Sequence, residues 1–161
     1  MKGNIATAFS AYLFIFALMG VFPGQSSANS NLIRSMGQTV YVPVYSHIYH
    51  GDRERVFNLT ATLSIRNTNL DSDIMLHSID YFDSKGELLK RYLDAPIVLK
   101  KFSTIRYVIK ATDKSGGSGA KFIVRWNSKK ISNAPLIEAI MISTQSGQGI
   151  SFVSRGQAIK E

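Results

Sequence analysis

Val56 to Leu93, VFNLTATLSIRNTNLDSDIMLHSIDYFDSKGELLKRYL, decides the fold, because helix and strand periodicities can be tested against each other on it. From Phe57 every second residue is apolar (Leu59, Ala61, Leu63, Ile65), while Asn58, Thr60, Thr62, Ser64 and Arg66 fill the other phase. A helix would group Phe57 with Thr60, Ala61 and Ser64, which is no apolar stripe, so the segment is a half-buried strand. Asn67 to Asp73 (NTNLDSD) is dense in side chains that bond neighbouring amides and reads as a loop. From Asp73 to Tyr81 the apolar phase slips: Ile74 and Leu76 share one face, Ile79 and Tyr81 the other. A bulge near His77-Ser78 restores one buried face, and a central strand buried on both sides is the alternative. Asp83-Ser84-Lys85-Gly86 has type I turn chemistry, with Gly supplying positive φ before Leu88 to Leu93 returns.

The flanks repeat the pattern. Thr39 to Tyr49 (TVYVPVYSHIY) is rich in β-branched and aromatic residues, but Pro43 cannot donate a ladder hydrogen bond, so this is an edge strand or one broken at Pro43. Gly51 to Glu54 is a charged loop. Pro96 to Leu99 suits a short edge piece. Thr104 to Ala111 sets Ile105, Tyr107 and Ile109 against Arg106, Val108 and Lys110. Asp113 to Gly119 (DKSGGSG) is a flexible loop by composition. Lys121 to Asn127 places Phe122, Val124 and the single tryptophan, Trp126, in one phase. Asn133 to Ser143 fits a capped helix or a buried strand, and its β-branched run favours the strand. Gly147-Gln148-Gly149 turns into a last strand, Ile150 to Ser154. The fold class expected is all-β: an antiparallel β-sandwich of seven or eight strands, immunoglobulin-like in architecture. Phe57, Leu59, Leu63, Ile65, Tyr107, Phe122, Val124, Trp126 and Ile140 are expected to share its core.

At the N-terminus, Met1-Lys2 precedes an uncharged apolar run, Ile5 to Phe22, and then Ser26-Ser27-Ala28. That order is a secretory signal peptide over residues 1–28, cleaved after Ala28. An uncleaved anchor is the rival, because the run approaches the spanning minimum of about 17 residues. The organisation expected is a signal peptide (1–28), a flexible leader (29–38), the sandwich (39–155) and a C-terminal tail (156–161), in the periplasm or secreted, with no transmembrane span after cleavage. The chain has no cysteine, which excludes disulfides, thiolate metal sites and a lipid-modified cysteine.

The motifs VYVPVYSHIYHGDR (Val40 to Arg53), LTATLSIRNT (Leu59 to Thr68), GGSGAKFIVRW (Gly116 to Trp126) and PLIEAIMIS (Pro135 to Ser143) span nearly all of the remaining chain. In them the sequence resembles a family of short exported bacterial proteins known only as a domain of unknown function. The resemblance implies export and a single domain; it brings no activity and no catalytic residues.

Charge and histidines supply the candidate sites. The formal net charge is +8, and Lys85 to Lys130 holds twelve basic residues against Glu87, Asp94 and Asp113. Arg106, Lys110, Lys121 and Arg125 all fall opposite the expected core phase. If their two segments pair as a hairpin across the Gly-rich loop, they form a positive ladder facing an anion, with Glu138 on a neighbouring strand as a possible compensating charge. The bland reading is a solvated face. His47, His50 and Asp52, with His77, are weak candidates for a metal, since an extended chain points His47 and His50 to opposite faces.

Other matches lead nowhere. Gly116 to Gly119 lacks the following Gly-Lys-Ser/Thr and helix of a phosphate loop. Ser118-x-x-Lys121 and Lys114-Ser115-Gly116 match serine-lysine enzymes only in reversed order within one loop. Asn58-Leu59-Thr60, a glycosylation pattern, sits mid-strand. No catalytic signature or cofactor motif occurs, and nucleic acid is excluded by the missing aromatic platforms and by export. The function expected is a non-enzymatic exported domain, without cofactor, that binds an envelope protein or an anionic envelope polymer or lipid. A periplasmic metal-binding protein using His47 and His50 is the alternative.

Overall fold

The computed structural model describes residues 33–145 and 147–161. The signal-peptide reading and the first residues of the expected leader lie outside the described residues. Among the described residues there are twelve strands: β1 (Arg34–Val44), β2 (His47–His50), β3 (Arg55–Asn58), β4 (Thr60–Arg66), β5 (Ile74–Phe82), β6 (Leu88–Arg91), β7 (Ile97–Leu99), β8 (Thr104–Ile109), β9 (Ala120–Asn133), β10 (Leu136–Gln145), β11 (Gln148–Arg155) and β12 (Gln157–Lys160). All pair antiparallel. One sheet runs β12-β1-β9-β5-β6, with β7 also on β5; the second runs β11-β10-β4-β8; β2 and β3 form a separate ribbon. The expected sandwich forms, with more strands than seven or eight, because predicted strands are divided and short edge pieces join the sheets.

The stretch that opened the reading behaves as its period demands. Phe57, Leu59, Ala61, Leu63 and Ile65 are all buried, but the strand is cut at Leu59, whose N–H donates to Ser46 O at 2.9 Å. β3 therefore belongs to the ribbon and β4 to the second sheet. On β5 the register against β9 jumps from Leu76↔Trp126 to Ser78↔Arg125. The bulge leaves His77 exposed and brings Ile74, Leu76, Ile79 and Tyr81 into the core. The turn after β5 closes on Asp83: its Oδ1 accepts the N–H of Lys85 and of Glu87, each at 2.8 Å, and Gly86 takes φ 92°.

Thr39 to Tyr49 breaks at Tyr45-Ser46 rather than at Pro43. Pro43 pairs with Lys121 of β9, while β12 reaches only from Thr39 to Tyr41, so the missing N–H costs no ladder bond. β1 starts at Arg34, inside the stretch read as leader, and the stretch read as tail forms β12 against β1. Asn133 to Ser143 holds the end of β9 and most of β10, not a helix. Its buried phase is Ile137, Ala139 and Met141, set opposite Ile65, Leu63 and Ala61. Ile140 thus lies in the outer phase, across from Thr62 and Val153, and is no part of the core. Tyr107 packs on the core while half-buried; Phe122, Val124 and Trp126 are fully within it.

The Asp113 to Gly119 loop is pinned rather than loose. Ser84 N–H and Oγ both donate to Gly116 O at 3.0 Å, Gly119 N–H donates to Ser84 Oγ at 2.9 Å, and Ser46 N–H donates to Gly117 O at 3.1 Å. Among the described residues the two sheets share one buried core.

Candidate functional site

The residues expected to form a positive ladder do not meet. β8 pairs with β4 in the second sheet and β9 with β1 and β5 in the first, so no hairpin joins them. Arg106 is exposed on the second sheet, and Lys110 borders a cleft of about 470 Å³ between β6 and β8, where Lys90 Nζ lies 4.5 Å from the centre of the Tyr92 ring. On the first sheet two cations are already engaged: Arg125 Nη1 pairs with Asp80 Oδ2 at 3.0 Å, and Lys121 Nζ donates to Asp83 O at 2.6 Å. Glu138 faces Arg66 at 3.6 Å instead of any of the four.

The histidines separate as well. His47 Nε2 is 3.1 Å from Tyr49 Oη, and His50 packs edge-on against Phe57. Asp52 lines a small depression with His50 at the ribbon turn. His77 lies on the exposed bulge of β5, whereas the ribbon joins the body beside Ser46 and Tyr81, at the other end of that strand. Among the described residues no group of three or more His, Cys, Asp or Glu is placed to hold a metal ion.

The structure instead gathers cations that the sequence reading had not singled out. Across β7, β5 and β9, Val98, Met75 and Asn127 stand directly opposite one another and floor a groove of about 880 Å³. Lys100, Lys101, Lys129, Lys130 and His77 line it. Two sequence features build this geometry. After Asn127, β9 bulges: Gly37 of β1 faces Asn127 and Ser35 faces Ser132, so residues 128–131 of β9 stand opposite Met36 alone. A regular strand would send Lys129 and Lys130 to opposite faces; the bulge exposes both. Gly37 permits the approach, since a Cβ there would lie 2.8 Å from Trp126 O.

The second feature is a buried asparagine pair under the rim. Asn67 Nδ2 lies 2.8, 3.2 and 3.1 Å from Ser72 O, Leu99 O and Lys100 O, and its Oδ1 accepts Asn69 N–H at 3.1 Å. Asn69 in turn donates from Nδ2 to Asn133 O at 3.0 Å and accepts Asn133 N–H at 2.9 Å. Loops 67–73, 100–103 and the end of β9 are thereby locked together. The loops were legible as loops; their union through two asparagines was not, although the Lys-Lys pairs at 100–101 and 129–130 stood in the basic stretch.

The groove is cationic in excess. Asp73 Oδ1 accepts the Lys101 N–H at 2.8 Å and Oδ2 meets Lys100 Nζ at 3.1 Å. The Lys101 amide above all, then Lys100, holds the Asp73 carboxyl below its usual range. Lys130, 3.0 Å from Asp71 Oδ2, lowers Asp71 in the same way. Among the described residues neither Lys101 nor Lys129 has a carboxylate partner. Exposed pairs of this kind contribute little to stability, so Lys100 and Lys130 remain available to a stronger anion.

Among the described residues no helix is long and apolar enough to cross a membrane. A crystal structure of Thermotoga maritima 1070 is similar to this chain at TM-score 0.44 and 10% identity, over 79% of this chain and 95% of that one. No curated protein matches. Residues 37–159 match the family described as "Protein of unknown function (DUF3124)", a span that contains every motif of the resemblance noted above; the chain belongs to that family.

Proposed function

We propose that this is an exported, non-enzymatic binding domain that takes an anionic envelope component in the groove over Met75 and Val98. The observation that carries the reading is the convergence of Lys100, Lys101, Lys129 and Lys130 around an apolar floor with only Asp71 and Asp73 to offset them. A polyanion there exchanges small counterions for fixed ammonium groups, and attraction of this type acts over about 8 Å at physiological salt. Export rests on the order of charged, apolar and small residues over Met1 to Ala28.

The test measures binding of dextran sulfate at low and raised salt. Lys101→Glu with Lys129→Glu weakens binding at least about tenfold, equivalent to ~1.4 kcal/mol. Arg106→Glu with Lys110→Glu, the same charge change elsewhere, alters it much less. Equal effects of the two pairs would reduce the lysines to a solvated face. Intact mass of the protein from the producing cell checks export: the mature chain begins at Asn29, and retention of Met1 to Ala28 contradicts it.

A further inference from the structure

The lysine groove opens at one end of the sandwich, and that end also carries bulky apolar side chains in water. Leu70 is 72% exposed and Phe102 76%. Both stand on the loops joined by the asparagine pair, and Phe102 N–H donates to Asn69 O at 2.9 Å, which sets the two tips on one rim. Phe102 holds φ 54°, the left-handed region that a bulky residue rarely enters. The lock formed by Asn69 O and by Asp73 on the Lys101 amide maintains that conformation, so the ring is displayed at a cost in backbone strain. Ile131, 57% exposed, stands on the β9 bulge beside Lys129 and Lys130.

The start of β1 lies at this same end. Ala134 N–H donates to Ile33 O at 2.9 Å, and Arg34 Nη2 reaches Ile131 O at 3.4 Å. Exposed apolar tips and ammonium groups in excess over carboxylates thus coincide at one place. A soluble polyanion would use the charges and leave Leu70 and Phe102 in water. A bilayer with anionic headgroups uses both, lysines on phosphate and apolar tips at the acyl boundary.

We infer that this end docks on an anionic lipid surface, with Leu70 and Phe102 entering the headgroup boundary and Lys101 and Lys129 meeting lipid phosphates. The inference rests on the anion-binding reading above and adds the partner and its orientation. The mature protein, purified from the producing cell, is mixed with vesicles of phosphatidylcholine alone or with phosphatidylglycerol added. The domain sediments only with the anionic vesicles, and raised salt releases it. Leu70→Ser with Phe102→Asn, asparagine being chosen because it accepts the left-handed backbone, weakens partitioning at least about tenfold and leaves dextran sulfate binding in place. In Phe102→Trp, brominated acyl chains quench the new indole, while Trp126, 2% exposed, stays unquenched. Dextran sulfate binding without vesicle binding overturns the inference and leaves the anion reading standing. Vesicle binding that survives the Leu70/Phe102 change without quenching does the same. Failure to bind either probe overturns both.

Discussion

The Tyr81 hydroxyl lies 3.1 Å from Ser46 Oγ and directly under Gly116, where an added Cβ would fall inside the tyrosine oxygen. Tyr81 is buried in β5 and cannot give way without disturbing Phe122, whose ring centre is 5.1 Å away. Gly116→Ala therefore destabilises the domain by about 2 kcal/mol, the usual cost of overpacking, measurable by urea unfolding. An unchanged midpoint would show that the loop retreats freely.

Alkaline pH should act through the same aromatic cluster. Burial raises the phenol of Tyr81, and likewise those of Tyr92 and Tyr107, above the ordinary tyrosine value. A raised folded pKa means that the folded state holds the proton longer than the unfolded chain does. The stability linked to these groups is thus complete below about pH 10 and is lost as pH rises through the folded values. Absorbance titration of the folded domain shows a late-ionising fraction, and unfolding midpoints fall above pH 10. Simultaneous titration of every tyrosine with no loss of stability contradicts the assignment.

Trp126 is buried in β9, and its Nε1 has no hydrogen-bond partner among the described residues. Trp126→Ala costs on the order of 3 kcal/mol. Trp126→Phe costs clearly less, because it removes an unsatisfied N–H along with part of the ring. Emission of the folded wild-type domain is blue-shifted; a red-shifted spectrum is incompatible with this burial.

Asn67→Ala leaves the carbonyls of Ser72, Leu99 and Lys100 without their shared donor. A loss of about 2 kcal/mol follows from the unsatisfied groups. The loops below the lysine groove should also loosen locally, and hydrogen exchange reads this at the Phe102 amide, bonded to Asn69 O. Unchanged exchange there would mean the asparagine does not hold the rim.

The period of two was enough to find most of the strands, the bulge at His77 and the Asp83 turn, because each leaves a local mark: an alternation, a phase slip, an Asp-to-Gly spacing. Partners between strands leave no such mark. Thr104 to Ala111 and Lys121 to Asn127 look like one hairpin in sequence, yet Asp113 to Gly119 carries the chain from one sheet to the other. On β10 both phases are apolar, so β-branching could not choose a face; Glu138, in the phase of Ile140, was the residue that marked the outer side. The lysine groove escaped notice for a related reason. Lys-Lys pairs have meaning only once a bulge has turned both residues outward and two loops have been tied together by Asn67 and Asn69.

Thr39 pairs with Lys160 across β1 and β12. The strand β1 therefore lacks one neighbour until β12 has been made. Gly156 closes that seam: its N–H donates to Ile137 O at 2.8 Å, and a Cβ there would lie 2.7 Å from Val40 Cγ1. Contacts joining the two ends of a chain make folding slow and cooperative, since long loops must close before the contacts that reward them form. A nascent chain still short of Gln157 can form the β5–β6 hairpin and the β4–β8 pair, but it cannot finish its first sheet. The first sheet is completed only once Gln157 to Lys160 have been made, and until then the β1 edge over Thr39 to Tyr41 stays open.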